Sequence, residues 1–364
     1  MLIAAGGSGG HVFPAQALAE ELIEQGYEIQ FIGGGLAANP YFKGLGAPAE
    51  SIPCADMSGK DLFHLFEGGA KILGGAVKSY RLIRKYRPDL VVGFGSYHTF
   101  PVLLGARLYG APIILHEGNS VPGKVNRLLS PYVLKTAIHF PSSKEQLKGR
   151  SCHAALPLRK PLRDKTLSRE AALNYFSLEN DWPTLLVFGG SQGALELNKI
   201  VSESIIDYVR NQGIKFQILH FTGEGKLSEE IAASYKRFGI PHVVKPFEER
   251  MECAWKLADL AITRAGACSL AEQTEFAVPG ILVPYPYATD NHQEKNADAF
   301  IESTRGAMKF LEKDLNPAKL ALVLCGLFKD PAKLKVMSKN IAAYRDSAER
   351  RTLAQLVYQT INQP

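Results

Sequence analysis

Leu2-Ile3-Ala4-Ala5-Gly6-Gly7-Ser8-Gly9-Gly10-His11 lies near the start of the chain. Its plan returns 183 residues later as Leu185-Leu186-Val187-Phe188-Gly189-Gly190-Ser191-Gln192-Gly193-Ala194. Each copy is a short apolar strand running into a glycine turn. Each is followed by a helical pattern that ends in a glycine, Gly26 or Gly213, and by a new apolar strand. A strand, a glycine turn and a helix N-terminus together offer backbone N–H groups and a positive dipole end to an anion. The repetition predicts two similar α/β domains facing a shared cleft.

The bulk properties agree with that plan. At 364 residues the chain exceeds what one core usually organises. With 46% hydrophobic and 21% charged residues it has the composition of an ordinary soluble globular protein. There is no apolar run long enough for a spanning helix. Leu2-Ile3-Ala4-Ala5 runs straight into the glycine loop, so no targeting peptide is expected. The five cysteines, 54, 152, 253, 268 and 325, contain no C-x-x-C pair and read as thiols of a reducing cytosol. The net charge of +6 is uneven: residues 1–163 carry 18 Lys/Arg against 11 Asp/Glu. A basic first half favours phosphate-rich ligands, nucleic acid or an anionic membrane face, and charge alone does not choose among them.

Short apolar runs at 2–5, 28–32, 90–93, 112–116 and 134–140 read as buried parallel strands, with helical patterns at 13–25, 70–86, 99–109 and 122–130. Pro14 is expected in the first turn of its helix. The Pro- and Arg-rich stretch 149–166 reads as the interdomain linker. Strands are expected again at 184–188, 215–221, 241–245, 259–263 and 280–284. The predicted class is α/β, two doubly wound parallel-sheet domains spanning 1–160 and 161–341. A last helix, roughly 342–361 in the C-terminal segment 342–364, is expected to pack back on the first domain.

The first glycine loop fits either a close approach of backbone to ligand, with His11 as acid or base, or a tight βα turn with a solvated histidine. It is not a G-x-G-x-x-G loop, and Gln30-Phe31-Ile32-Gly33 lacks the ribose-binding acid of nicotinamide sites. The Walker pattern is absent too, because Gly223-Glu224-Gly225-Lys226 is followed by Leu227. Residues 259–296 are more specific. Asp259 to Arg264 ends a strand, Ala265-Gly266-Ala267 turns, and Cys268-Ser269-Leu270-Ala271-Glu272 opens a helix. Glu272 is placed to accept two ribose hydroxyls, with nearby loop amides facing phosphate; otherwise it is a glutamate on a solvated face. After the strand Pro279 to Pro284, the run Thr289 to Asn296 offers amide and imidazole groups suited to sugar hydroxyls.

These residues resemble the GT-B glycosyltransferases, and within them the MurG family, over almost the whole chain. The turn and helix from Gly266 to Glu272, with Pro279, is shared by many GT-B enzymes. Narrower signals are Gly6 to His11, Gly93-Phe94-Gly95-Ser96-Tyr97, His116-Glu117-Gly118-Asn119, and Gly189 to Ala194 with Asn198. The resemblance implies transfer of N-acetylglucosamine (GlcNAc) from UDP-GlcNAc to the C4 hydroxyl of a polyprenyl-diphosphate-linked muramoyl pentapeptide, with inversion. It implies no cofactor and no metal, no nucleic-acid partner, and a peripheral place on the cytoplasmic face of the plasma membrane. Ser191 and its surrounding amides correspond to the diphosphate site, with Arg159 as charge partner. Ala267, Cys268, Ser269, Leu270 and Ala271 line the nucleotide pocket, Glu272 holds the ribose, and the backbone at Glu248 reads uracil. Gln293, with His292, reads GlcNAc hydroxyls. Ser8, Gly9, Gly10, His11, Tyr97 and Asn119 correspond to the acceptor side and reaction centre. The chain departs from the family pattern at Gly118 (usually Gln), Ser96 (commonly Gly), Leu156 (usually Asn) and Glu248 (usually apolar).

No D-x-D motif occurs, so helix N-termini and Arg159 are expected to meet the diphosphate charge. His11 is the candidate general base, or else a positioning group. For an anionic membrane surface the candidate is Leu62-Phe63-His64-Leu65-Phe66 with the following helix and its cations Lys71, Lys78, Arg81, Arg84, Lys85 and Arg87. The plainer alternative is a core stripe of Ile72, Ala76, Val77, Tyr80 and Ile83 with charges on a solvated face. Three rival functions stay open: a UDP-GlcNAc 2-epimerase, a lipid glycosyltransferase of another pathway, and a non-catalytic UDP-sugar-binding regulator.

Overall fold

The computed structural model describes residues 1–55, 62–179, 182–190, 193–212, 216–225, 227–347 and 351–362. The chain divides into two units, Met1–Lys160 with Ala348–Pro364, and Pro161–Ser347. Among the described residues no helix is long and apolar enough to cross a membrane.

Among the described residues the first unit holds seven strands: β1 (Leu2–Ala4), β2 (Gln30–Gly34), β3 (Ala49–Ile52), β4 (Val91–Gly93), β5 (Ile113–Glu117), β6 (Lys135–Ile138) and β7 (Ser151–His153). They pair in the order β3-β2-β1-β4-β5-β6-β7, and every pairing is parallel. The second unit holds β8 (Thr184–Phe188), β9 (Gln217–Phe221), β10 (His242–Lys245), β11 (Leu260–Thr263), β12 (Gly280–Leu282) and β13 (Ala307–Lys309). These pair in parallel as β10-β9-β8-β11-β12-β13. Both orders reverse direction beside their first strand, at β1/β4 and at β8/β11. A doubly wound sheet leaves its ligand crevice at that point, outside the carboxyl ends of the strands. Helices cover both faces of such a sheet, so its strands are apolar throughout: Leu2, Ile3, Leu185, Leu186, Leu260 and Ile262 are all fully buried.

Several elements differ from the sequence expectations. The first helix starts at Gly9 and runs to Glu24, so His11 lies in its first turn and Pro14 lies further in, not in the first turn. The periodicity appears only from residue 13 because two glycines open the helix. The stretch 149–166 is not bare linker: it contains the edge strand β7 and the short helix Lys160–Arg163. The stretch 342–361 is not one helix. Pro331–Arg345 ends where Arg345 donates to the Glu275 carbonyl (2.8 Å) and pairs with Asp346, and a separate helix spans Leu353–Asn362. Leu353, Ala354, Leu356 and Val357 of that last helix join Leu18, Leu22, Ile3 and Phe31 in the core of the first unit.

The helix Leu62–Tyr86 extends the predicted 70–86 toward the N-terminus. Ala76 and Ile83 are buried, but Val77 is 44% exposed and leaves the expected core stripe. Phe66 (80%) and Leu73 (64%) are exposed beside it. The side chains of residues 62–65 lie outside the described structure.

Candidate donor and acceptor sites

At the β1/β4 switch point of the first unit, Gly7 takes a φ of +86° and turns the chain from β1 into the helix Gly9–Glu24. Only a residue without Cβ adopts that conformation cheaply, and a Cβ there would also press on His98 and Ser96. The turn opens on a pocket of about 490 Å³ whose lining includes Ser8, His11, Asn39, Ser96, Tyr97 and His98. Ser8, His11 and Tyr97 thus come together; Gly9 and Gly10 begin the helix behind them. Asn119 is not part of that lining and sits on the loop after β5.

The orientation of His11 follows from one contact. Its Nδ1 lies 2.8 Å from the Phe94 carbonyl oxygen. A carbonyl only accepts, so Nδ1 carries the proton and Nε2 is the basic nitrogen. Tyr97 stacks on His98 at 4.1 Å, and His98 Nδ1 in turn donates to the Gly34 carbonyl (3.0 Å). Asn39 closes the other side by donating to the Gly7 carbonyl (2.6 Å). His98 and Asn39 escape a sequence reading because their partners are 64 and 32 residues away.

The Asn119 loop is organised by a residue to which the sequence assigns no role. Glu117, 3% exposed, accepts from the Asn119 backbone (2.9 Å) and from Gly123 N and Asn126 Nδ2 (both 2.9 Å). Asn119 Nδ2 lies 3.4 Å from the same carboxylate. All of these partners donate, so both oxygens act as acceptors. His116 beside it is buried against Phe94, and burial, reinforced by the neighbouring His11, pushes its pKa down to about 3. It is a neutral ring at any physiological pH.

In the second unit the matching switch point holds the turn after β8 and the turn after β11. Ser191 and Gln192 lie outside the described residues, as does Lys226. Gly193 is described: its φ is +68°, and a Cβ would stand 2.3 Å from the Thr222 carbonyl oxygen. After β11, Gly266 is the N-cap of the helix Ala267–Phe276 and contributes no side-chain oxygen to the first-turn amides. Ala267, Cys268 and Ser269 are half-buried there, whereas Leu270 and Ala271 are fully buried and their side chains serve packing. Two residues hold this turn from behind. Arg264, 6% exposed, donates to the carbonyls of Val283 and Pro284 (3.1 Å each) and pairs with Glu312. Asn296 donates to the Ala265 carbonyl (3.1 Å).

Glu272 faces a partner that the motif does not disclose: Trp255 Nε1 donates to its Oε2 at 2.8 Å. Gln293 accepts from Tyr285 N through Oε1 (3.0 Å), and His292 Nδ1 donates to the Thr289 carbonyl (2.7 Å). The preceding Asp290 and Asn291 both have φ of 53°, a strained pair that these two residue types tolerate best. Arg159 belongs to the first unit, where its guanidinium sits 5.6 Å over the Phe13 ring.

Comparison with known proteins decides the family. The Glycosyltransferase family 28 N-terminal domain matches residues 1–138, and the C-terminal domain of the same family matches residues 184–352. A Protochlamydia amoebophila protein named UDP-N-acetylglucosamine--N-acetylmuramyl-(pentapeptide) pyrophosphoryl-undecaprenol N-acetylglucosamine transferase is 42% identical over 99% of this chain and 95% of its own length. A Halothermothrix orenii protein of the same name is 35% identical over 99% of this chain and 98% of its own. The chain belongs to the MurG family. A crystal structure of Acinetobacter baumannii MurG superposes with a TM-score of 0.78 at 27% identity, covering 100% of this chain and 99% of that one. A structure titled as a UDP-N-acetylglucosamine 2-epimerase from Listeria monocytogenes, at 11% identity and TM-score 0.67, shares the fold alone.

As a MurG-family glycosyltransferase with the GT-B fold, the chain makes its departures legible. Ser96 stands at φ +70°, the left-handed region where the family's glycine costs less. Glu248 is 4% exposed with both carboxylate oxygens hydrogen-bonded: Oε1 accepts from Tyr175 OH (2.9 Å) and Arg250 N (2.8 Å), Oε2 from Lys245 (2.8 Å). Burial opposes ionisation, but those hydrogen bonds and the Lys245 charge outweigh it and hold the carboxyl below its usual range. A charged residue thus fills an apolar position by bringing its own partners. Leu156, 4% exposed, donates its backbone N–H to His139 Nδ1 (3.2 Å).

Proposed function

We propose that this MurG-family chain transfers GlcNAc from UDP-GlcNAc to the C4 hydroxyl of polyprenyl-diphosphate-linked N-acetylmuramoyl pentapeptide, with inversion, in peptidoglycan synthesis. The observation that carries the reading is the 42% identity, over almost the full length of both chains, with a transferase so named. The geometry supports it at both switch points. In the first unit, His11 Nε2 is the base that takes the C4 hydroxyl proton as the oxygen bonds to the anomeric carbon. Tyr97 and Ser8 share its pocket, and Asn119 orients the acceptor from the loop that Glu117 holds.

As that bond forms, the bond from the anomeric carbon to the diphosphate breaks, and its electron pair leaves with UDP. Main-chain amides of the Gly189–Ala194 turn, with Ser191, and of the helix Ala267–Phe276 meet the growing charge, and Arg159 adds a cation. Under this reading no resident metal or other cofactor is required. Glu272 holds the ribose, the Glu248 backbone reads uracil, and Gln293 with His292 reads the sugar.

The lipid-borne acceptor calls for a membrane surface, and the helix Leu62–Tyr86 supplies a fitting face. Phe66, Ala70, Leu73 and Val77 follow helical spacing on one exposed side, with Lys71, Lys78, Arg81, Arg84 and Lys85 around them. Peripheral attachment to the anionic cytoplasmic leaflet follows, each cation adding about 1 kcal/mol.

Measuring UDP release from UDP-GlcNAc with and without lipid acceptor tests the function. Release only with acceptor supports the transferase. Conversion at C2 without acceptor marks an epimerase, and donor binding without release marks a regulator.

A further inference from the structure

The second unit contains a buried polar chain that the reaction does not use directly. Asn198, one turn into the helix Leu195–Gln212, donates through Nδ2 to the Thr222 carbonyl (2.9 Å). Its Oδ1 faces His220 Nε2 at 3.2 Å, and His220 Nδ1 faces Tyr235 OH at 3.0 Å. Asn198, His220, Thr222 and Tyr235 are all completely buried. The directions of these bonds follow from the far end. Thr222 O only accepts, so the amide nitrogen of Asn198 must face it and the amide oxygen must face His220. His220 therefore carries its proton on Nε2, and Tyr235 donates to Nδ1. Burial drives the His220 pKa down to about 3, so the ring keeps this neutral tautomer throughout the working range.

Gly193, at the end of the glycine turn after β8, passes close to the same Thr222 carbonyl: a Cβ on it would stand 2.3 Å from that oxygen. The Thr222 and Gly223 amides are tied to the carbonyls of Lys245 and Pro246 (3.0 and 2.8 Å). One oxygen thus joins the buried chain to the turn, and Asn198 is its side-chain donor.

We propose that His220 and Tyr235 are positioning residues of the donor site: through Asn198 they fix the Thr222 carbonyl, and with it the turn whose amides meet the nucleotide diphosphate. This rests on the reading of the Gly189–Ala194 turn as the diphosphate site. Neither residue touches substrate. Their effect is larger at the phosphate end of the donor, since the chain they form ends on the Thr222 carbonyl beside Gly193, while the uracil-reading backbone at Glu248 is reached only indirectly, through the Lys245 and Pro246 carbonyls.

The test compares inhibition of the full-length enzyme by UDP and by uridine, which lacks the diphosphate, in Tyr235→Phe, His220→Leu and His220→Gln. Tyr235→Phe and His220→Leu are expected to raise the UDP inhibition constant and the donor KM roughly tenfold, the scale of a buried hydrogen bond left unmade. The acceptor KM stays at the parent value, and the uridine constant changes far less than the UDP constant. His220→Gln keeps a donor for Asn198 and restores most of the UDP affinity. Equal losses for uridine and UDP, or unchanged UDP inhibition in both Tyr235→Phe and His220→Leu, overturn the proposal. Gly193→Ala separates it from the underlying reading. If that variant leaves UDP inhibition unchanged, the turn is not the diphosphate site; if it weakens UDP while the other variants do not, the turn is the site and the relay does not position it.

Discussion

Trp255 and Glu272 form a pair in which the indole N–H aims the carboxylate: Nε1 donates to Oε2 at 2.8 Å while the indole packs edge-on against Phe188. Trp255 is 1% exposed, so its ring is locked and the carboxylate inherits that rigidity. Glu272→Ala is expected to raise the UDP-GlcNAc KM ten- to a hundredfold, about the worth of one hydrogen bond to a carboxylate, with a smaller effect on kcat. Trp255→Phe keeps the packing and loses only the aim, so its donor KM rises several-fold. Steady-state kinetics with donor varied checks both; an unchanged donor KM in Glu272→Ala removes the ribose role.

His11→Ala should lower kcat by roughly 10² to 10⁴, the usual contribution of a general base, while UDP affinity stays close to the parent value. Near-parental turnover would leave the ring a positioning group at most. The Phe94 carbonyl that sets its tautomer belongs to the backbone, so no side-chain change at Phe94 mimics this loss.

Ser96→Gly is expected to stabilise the protein by about 1 kcal/mol, the cost of holding a residue with a Cβ in the left-handed region. Thr99, whose hydroxyl lies 2.7 Å from the Gly95 carbonyl and 3.0 Å from that of Ser96, keeps the turn in place in the variant. Urea unfolding of both proteins checks this, and a lower midpoint for Ser96→Gly contradicts it.

Burial moves the pKa of His116 in the first unit and of His220 in the second from 6.5 to about 3. The unfolded chain takes up a proton at each site below pH 6.5 while the folded unit does not. The stability linked to these neutral rings is therefore complete above pH 6.5 and is lost progressively as pH falls toward 3, at up to about 1.4 kcal/mol per pH unit for each proton. Denaturant midpoints between pH 7 and 4 should show this slope, and His220→Gln should flatten it for the second unit alone.

Leu73→Asp is expected to weaken binding to anionic vesicles about tenfold or more, from the lost burial of a leucine side chain and the added like charge. Leu73 is already exposed in the folded unit, so thermal stability and turnover on a water-soluble acceptor should hold. Co-sedimentation with vesicles at graded salt reads the effect; undiminished binding moves the membrane face elsewhere.

Much of the fold was legible because its central strands are short apolar runs cut off by glycine, as in Leu2–Ala5 and Leu185–Phe188. The edge strands were not. Ala49-Glu50-Ser51-Ile52 and Ser151-Cys152-His153 have one neighbour each and need no continuous apolar run, so nothing in their residues announces them. The site was legible where a motif carries its own geometry, as from Gly266 to Glu272. It was hidden where a partner arrives through the fold. Trp255 reaches Glu272 across 17 residues, His98 reaches Gly34 across 64, and Tyr235 reaches His220 through the packing of a helix on a strand. Glu117 stood in plain view inside a motif, but its role depends on the loop folding back over it. Val77 fitted the core periodicity and still faces outward, because a long helix offers more apolar positions than its neighbours cover.

The helix Leu353–Asn362 completes the core of the first unit, although the whole second unit intervenes in the sequence. During synthesis the N-terminal lobe therefore emerges with Leu18 and Leu22 uncovered and waits for the ribosome to finish the other lobe. A fragment cut at the lobe junction would leave that seam bare and prone to aggregation. Dividing this enzyme into two working halves requires transplanting its final segment onto the first.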